Sequence, residues 1–172
     1  IVSRGLGDVY KRQIMDDVVI IGGGIIGTAT AYFLSKEGRK VKVIERDPTY
    51  KTASFPLSLG GFRRQFFQKE NILLGKFARD FIFKIPEVLK TEKNPNPTAS
   101  MVTNGYLLMF GPEHAEEQYR ALENHKECDA GTKNIKGSEL SNVFPYINND
   151  GIETATYTDN QSEGWIDPFM FH

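Results

Sequence analysis

One cysteine and three histidines stand among 172 residues, which leaves little material for metal chemistry. Cys128 has no second thiol to pair with, so no internal disulfide can form, and no cysteine cluster offers a zinc site. His114, His125 and His172 lack metal-ligand spacing; the first two fall on a helix expected to be exposed, and the third ends the sequence. Nowhere does an apolar run reach roughly the eighteen residues that suggest a membrane-spanning helix. Lys and Arg total 21 against 22 Asp and Glu, for a net charge of -1. With no long basic block, a nucleic-acid or anionic-membrane partner has little electrostatic support. G-x-S-x-G, H-E-x-x-H and a P-loop lysine are missing too, which removes the usual hydrolase, zincin and NTPase readings. There is no internal repeat and no low-complexity segment.

What is present suits one domain of ordinary size, with 40% hydrophobic and 12% aromatic residues to build a core. Its organising stretch runs from Asp17 to Arg46, DVVIIGGGIIGTATAYFLSKEGRKVKVIER. Val18 to Ile21 is a continuous apolar run, as expected of a parallel strand covered on both faces. Gly22, Gly24 and Gly27 match G-x-G-x-x-G: the first permits a sharp turn, the second lets phosphate approach the backbone, the third lets a helix lie close on the strand. A helix from Ile25 to Glu37 puts Gly27, Ala31 and Leu34 on one face, and Gly38 is placed to cap it. Val41 to Ile44 is the second strand, closed by Glu45. That acid lies 23 positions after Gly22, near the spacing at which a carboxylate accepts ribose hydroxyls. Strand, turn, helix, strand and acid agree on a dinucleotide site; a purely structural glycine turn is the plainer alternative.

Residues 1–14, IVSRGLGDVYKRQI, are unlike the rest, having no initiating Met and no apolar core of a signal peptide. They are expected to be a non-native or disordered leader, a sequencing or cloning scar before a true start at Met15. Beyond Glu45, the segment TASFPLSLGGFRRQF sets small and hydroxyl residues before Gly60-Gly61, with Arg63 and Arg64 following. Backbone N–H groups freed by such a segment can line a phosphate or a flat ring; a surface loop with two solvated arginines is the alternative. Asn71 to Ile85 reads as a helix with an apolar stripe of Leu74, Phe77, Ala78, Phe81, Ile82 and Ile85, ended or kinked by Pro86. Lys90 to Ser100 is a polar connection, Asn104-Gly105 a tight turn, and Tyr106 to Phe110 a strand. A surface helix follows from Pro112 to about Lys126, with a thin apolar face of Ala115, Tyr119 and Leu122. Gly137 to Phe144 suggests a short helix with Leu140, Val143 and Phe144 inward, and Ile152 to Thr158 a half-buried strand. Asp167-Pro168 supplies an N-cap and a first helical position just before the sequence stops, so it reads as truncated.

Together the Asp17–Arg46 stretch, TASFPLSLGGFRRQF, ENILL at Glu70 to Leu74, NGYLLMF and GWIDP resemble the FAD-dependent oxidoreductases of the D-amino-acid oxidase superfamily. The resemblance runs from about Asp16 to Pro168. It is closest to the sarcosine and dimethylglycine oxidase or dehydrogenase branch, which includes mitochondrial relatives with assembly roles. It implies an α/β fold: a Rossmann-like FAD-binding domain of the glutathione-reductase type, beginning βαβ, plus the start of an α+β substrate domain. The expected limits are 15–100 for the first part of the FAD domain, 101–160 for the substrate-domain segment, and 161–172 for a return toward the FAD domain. It implies FAD rather than NAD, with Gly22, Gly24, Ile25, Ile26 and Gly27 around the pyrophosphate and Glu45, beside Arg46, on the adenosine ribose. Ser54, Ser58, Gly60 and Gly61 would follow the cofactor from phosphate toward flavin. Arg63 falls where related enzymes carry an arginine near the flavin ring, a partner for developing negative charge and the one catalytic candidate; no metal is implied.

The implied reaction is hydride transfer to flavin from the carbon beside nitrogen of an amine or amino acid, with oxygen or an electron carrier as reoxidant. Later substrate-domain strands, residues above the flavin and the close of the FAD domain are expected beyond His172, so this chain alone is expected not to turn over. A cytoplasmic location is expected, or the mitochondrial matrix in a eukaryote. Two alternatives stay open: a non-catalytic FAD-binding assembly or scaffold protein on the same fold, and an NAD-dependent dehydrogenase, disfavoured by Gly60-Gly61-Phe62-Arg63. Mass spectrometry of the native protein is expected to find its N-terminus at Met15; peptides from residues 1–14 would contradict that start.

Overall fold

A computed structural model describes residues 17–159 and 161–171. The expected leader and Met15 lie outside the described residues. The chain falls into two compact units that meet in sequence between Leu57 and Ser58.

The first unit is a βαβ motif. Strand β1 (Val18–Ile21) pairs in parallel with β2 (Val41–Ile44), in the register Val18 with Val41 through Ile21 with Ile44. Helix α1 (Ile25–Lys36) connects them. Its end is a Schellman turn: Gly38 takes a φ of 79°, its N–H donates to the Ser35 carbonyl, and Arg39 N–H donates to that of Leu34. The apolar run of β1 is not covered on both faces, contrary to expectation. Val19 and Ile21 are exposed, whereas α1 lies toward the face that carries Ile20. A doubly covered parallel strand needs a second layer of helices, and the first unit holds one helix, α1, among its described residues.

The second unit contains two small sheets and the remaining helices. Strand β3 (Gly61–Phe62) pairs antiparallel with β7 (Gly164–Trp165), joining segments about a hundred residues apart in sequence. Val102 bridges to Trp165 on β7 through reciprocal N–H to carbonyl bonds of 2.9 and 3.0 Å. A Cβ on Gly164 would fall 2.0 Å from the Val102 carbonyl, so only glycine fits there. The other sheet has the order β4–β6–β5, all antiparallel, from Leu107–Phe110, Thr154–Tyr157 and Lys133–Lys136. As the middle strand, β6 is buried rather than half-buried: Thr154, Ala155 and Thr156 are each fully enclosed. The threonine hydroxyls survive burial because Thr154 donates to Asn134 Oδ1 and Thr156 Oγ1 accepts from Gln118 Nε2. Strand β5, with two lysines on an edge, gives almost no sequence signal.

Helix α2 (Lys69–Phe83) begins two residues before its expected start and ends at Phe83; Lys84 then separates it from a short helix α3 (Ile85–Val88) that takes Pro86 in its first turn. Its buried side chains are Ile72 and Ile82, with Ile85 enclosed in α3, while Leu74 and Phe77 of the expected stripe are exposed. The stripe is divided: Ile82 and Ile85 enter the core, while Leu74 and Ala78 line a cleft. Helix α4 (Pro112–Glu127) is not merely superficial: Ala115, Gln118, Ala121 and His125 form a buried face at i, i+3, i+4 spacing. A 3-10 turn (Gly137–Glu139) and α5 (Leu140–Val143) follow; of the three side chains expected inward, Leu140 is fully buried, Phe144 half-buried and Val143 exposed. The expected Asn104-Gly105 turn is replaced by a link in which Gly105 (φ 71°) donates its N–H to the Glu163 carbonyl. Asp167 caps α6 (Pro168–Phe171), its Oδ1 accepting from the N–H groups of Phe169 and Met170. Replacing fully buried Ile72 by Ala removes core volume with no solvent to fill it. In the full-length protein it is expected to destabilise by about 2–5 kcal/mol, read from denaturant midpoints.

Candidate functional site

The first unit concentrates its chemistry where β1 turns into α1. Gly22 takes a φ of 100°, strained for any side chain, and its N–H donates to the Ile44 carbonyl at 2.8 Å, so the turn is tied to β2. A Cβ on Gly27 would lie 1.9 Å from the Gly22 carbonyl oxygen, closer than any real contact. That absence of a side chain lets α1 seat on the strand. At Gly24 a Cβ would meet nothing within 4 Å: here glycine leaves open space beside the first turn. Gly24 is the N-cap, no side chain caps the helix and no acid sits in its first turn. The unsatisfied N–H groups and the positive end of the helix dipole therefore face a space that a phosphate suits.

Two clefts meet this turn within the same unit. One, of about 340 Å³, is lined by Gly22, Gly24, Ile25, Ile26, Gly27 and Ser54; the other, of about 470 Å³, is lined by Gly22, Gly24, Glu45 and Arg46. Seven of the expected cofactor contacts, together with Arg46, thus gather around one glycine turn. Glu45 is held by its own neighbours: Oε1 accepts from Asp47 N–H at 2.8 Å and Oε2 from Gly23 N–H at 2.6 Å. These backbone donors, that of Asp47 first, lower its pKa below the usual glutamate range. A carboxylate has about four acceptor positions, so those two bonds leave capacity for ribose hydroxyls.

The remaining expected residues belong to the second unit. Ser58 Oγ accepts from Gly60 N–H at 3.2 Å, and Gly60 adopts a φ of 64° with the Ile166 carbonyl where its Cβ would stand. Gly61 begins β3, beneath the Tyr106 hydroxyl. Arg63 is half-buried, its guanidinium 4.9 Å from the Phe66 ring centroid, with no carboxylate partner among the described residues. Three residues escaped the sequence reading. Glu163 is fully buried, its carboxylate accepting from the N–H groups of Arg64 and Gln65, from Gln65 Nε2 and from the Thr158 hydroxyl. Gln65 is buried beside it. His125, expected on an exposed face, is 4% exposed, because the inward stripe of α4 passes through it. The α4 spacing from Ala121 could have shown this; nothing in the residues around Glu163 could.

A parallel βαβ unit with a glycine-tight turn, a bare helix N-terminus and an acid closing the second strand defines a dinucleotide-binding fold. The chain belongs to the FAD dependent oxidoreductase (DAO) family, whose model matches residues 17–172. It is 40% identical over 161 residues to FAD-dependent oxidoreductase domain-containing protein 1 of Xenopus laevis, covering 89% of this chain and 32% of that protein. The chain therefore spans about a third of the length of the curated relatives it matches. Among solved structures it is similar to L-proline dehydrogenase from P. horikoshii, with 28% identity, a TM-score of 0.70 and coverage of 90% of this chain and 38% of that one. Glycine oxidase from Geobacillus kaustophilus shares the fold at 19% identity, with a TM-score of 0.68 and coverage of 90% and 41%.

The lowered pKa of Glu45 carries a sign. Its bonds to Gly23 and Asp47 are present above the ordinary glutamate pKa and are lost as pH falls through the lower folded value. The Gly23 and Asp47 amide resonances are expected to titrate together, with a midpoint below that of an unperturbed glutamate. A midpoint at or above the ordinary value would contradict the contacts.

Proposed function

We propose that the full-length protein is a flavoenzyme that oxidises a C–N bond of an amine or amino acid, with FAD as its cofactor. The observation that carries this reading is the uncapped N-terminus of α1, opened by Gly24 and closed on β1 by Gly27, with Glu45 at the end of β2. Those residues fit a dinucleotide: the amides of the first turn would hold the pyrophosphate, and the spare acceptor positions of Glu45 would take ribose hydroxyls. Bound flavin would supply the hydride acceptor that no side chain here provides. The flavin-side roles of Ser58, Gly60, Gly61 and Arg63 rest on the family resemblance. Choice of an amine or amino acid is supported by the names of two similar structures, a proline dehydrogenase and a glycine oxidase. Sarcosine or dimethylglycine remains a candidate on the resemblance of the GGFRRQF segment. The reoxidant, oxygen or a carrier, belongs to the same proposal.

The test uses the full-length protein, purified with its natural cofactor. Its visible spectrum is expected to show flavin that bleaches without oxygen when sarcosine, dimethylglycine or one of a set of amino acids is added. Flavin that stays oxidised with all of them would favour an assembly or scaffold role. A protein that retains no flavin, even with FAD supplied, would contradict the reading.

A further inference from the structure

Tyr50 lies outside the glycine fingerprint and takes a backbone conformation that an aromatic residue rarely adopts. Its φ is 53°, in the left-handed region where a Cβ crowds the neighbouring carbonyl. Residues on either side hold it there. Its N–H donates to the Asp47 carbonyl at 3.1 Å, and its own carbonyl accepts from Ala53 N–H at 3.1 Å. Asp47 is fixed in turn: its Oδ1 accepts from the N–H and hydroxyl of Thr49, and its N–H donates to Glu45 Oε1. A strained residue persists only where its surroundings over-determine it, and such residues gather at ligand clamps.

The Tyr50 side chain is half-buried and borders the 470 Å³ cleft together with Gly22, Gly24, Glu45 and Arg46. Its hydroxyl reaches the glycine turn. A Cβ on Gly23 would lie 2.8 Å from Tyr50 Oη and 3.2 Å from Glu45 Cβ. Gly23 stands where the G-x-G-x-x-G spacing leaves the residue free, and its backbone, unlike that of Gly22, is not in the left-handed region. Glycine is needed there because Tyr50 and Glu45 already fill the space of a side chain. Gly23 also donates its N–H to Glu45 Oε2 at 2.6 Å. It is therefore held between the acid and the tyrosine, one residue before the N-cap of α1.

We propose that Tyr50 is a positioning residue for the dinucleotide. From the loop after β2, its hydroxyl takes the place of the side chain missing at Gly23 and holds the glycine turn against Glu45. The strain at Tyr50 is retained because this contact fixes the spacing between the amides that suit a pyrophosphate and the carboxylate that suits a ribose. A displaced turn would engage the two ends of an adenosine diphosphate only one at a time. The role rests on the FAD reading above and concerns the adenosine diphosphate half of the cofactor alone.

Titration of the full-length protein, freed of flavin, with FAD and with ADP tests this, and thermal melting of each ligand-free variant reports its folding. Gly23→Ala sets a methyl group against a hydroxyl whose backbone is held on both sides, and should weaken both ligands at least about tenfold. Adding Tyr50→Phe to Gly23→Ala makes room for the methyl and should return both affinities to within about twofold of the natural protein. Tyr50→Phe alone keeps ring and backbone; it should weaken both ligands by about threefold or more with melting unchanged. Normal binding by Gly23→Ala, a double variant no better than Gly23→Ala, or losses confined to FAD would overturn the role. Should Gly23→Ala not melt cooperatively, Tyr50→Phe decides: unchanged ADP affinity overturns the role. A protein that binds neither ligand would overturn role and cofactor reading together. Failure of the oxidoreductase reading alone looks different: positions 23 and 50 are coupled as expected, but bound flavin bleaches with no amine.

Discussion

The contact on which the first unit depends is between a carbonyl and a missing side chain. At Gly27, α1 comes so close to β1 that even a Cβ would sit 1.9 Å from the Gly22 oxygen. Because the helix is seated there, its first turn points its free N–H groups at the loop instead of at a capping side chain. The Gly22 N–H, bound to the Ile44 carbonyl, ties the same turn to β2. The register Ile21 with Ile44 then sets Glu45 just beyond the strand, within reach of Gly23. Turn, helix dipole and acid are positioned by one close approach.

The second unit depends on a buried charge with neutral partners. Removing a carboxylate from water is costly unless hydrogen bonds replace its hydration, and Glu163 receives four. Two of the donors are consecutive backbone amides at Arg64 and Gln65, which pins the segment that follows β3. The Gly105 amide is held by the Glu163 carbonyl as well. Orientation of Gln65, and so the direction of its unpaired oxygen, follows from the same carboxylate.

Much of the first unit was legible because its determinants are local. The glycine spacing, the apolar runs and the acid at Glu45 each act within a few residues, and β1, β2 and α1 lie within one residue of where periodicity puts them. What the residues could not show is partnership at a distance. Burial of β6 comes from flanking strands on both sides, β5 among them, whose Lys-Asn-Ile-Lys sequence has no apolar alternation. Leu74 and Phe77 keep a helical stripe but are exposed, Leu74 on a cleft, since α2 packs through Ile72 and Ile82. Glu163 is the clearest case: a carboxylate reads as surface until Arg64 and Gln65, almost a hundred positions earlier in the chain, are seen to converge on it.

The proposed role of the α1 N-terminus is to hold a pyrophosphate, and that of Glu45 to hold a ribose. A crystal structure of the full-length protein grown with FAD measures this directly. Phosphate oxygens are expected within hydrogen-bond distance of the amides that follow Gly24, and the Glu45 carboxylate on the adenosine ribose. A dinucleotide bound elsewhere, with the glycine turn in contact only with solvent, would contradict it.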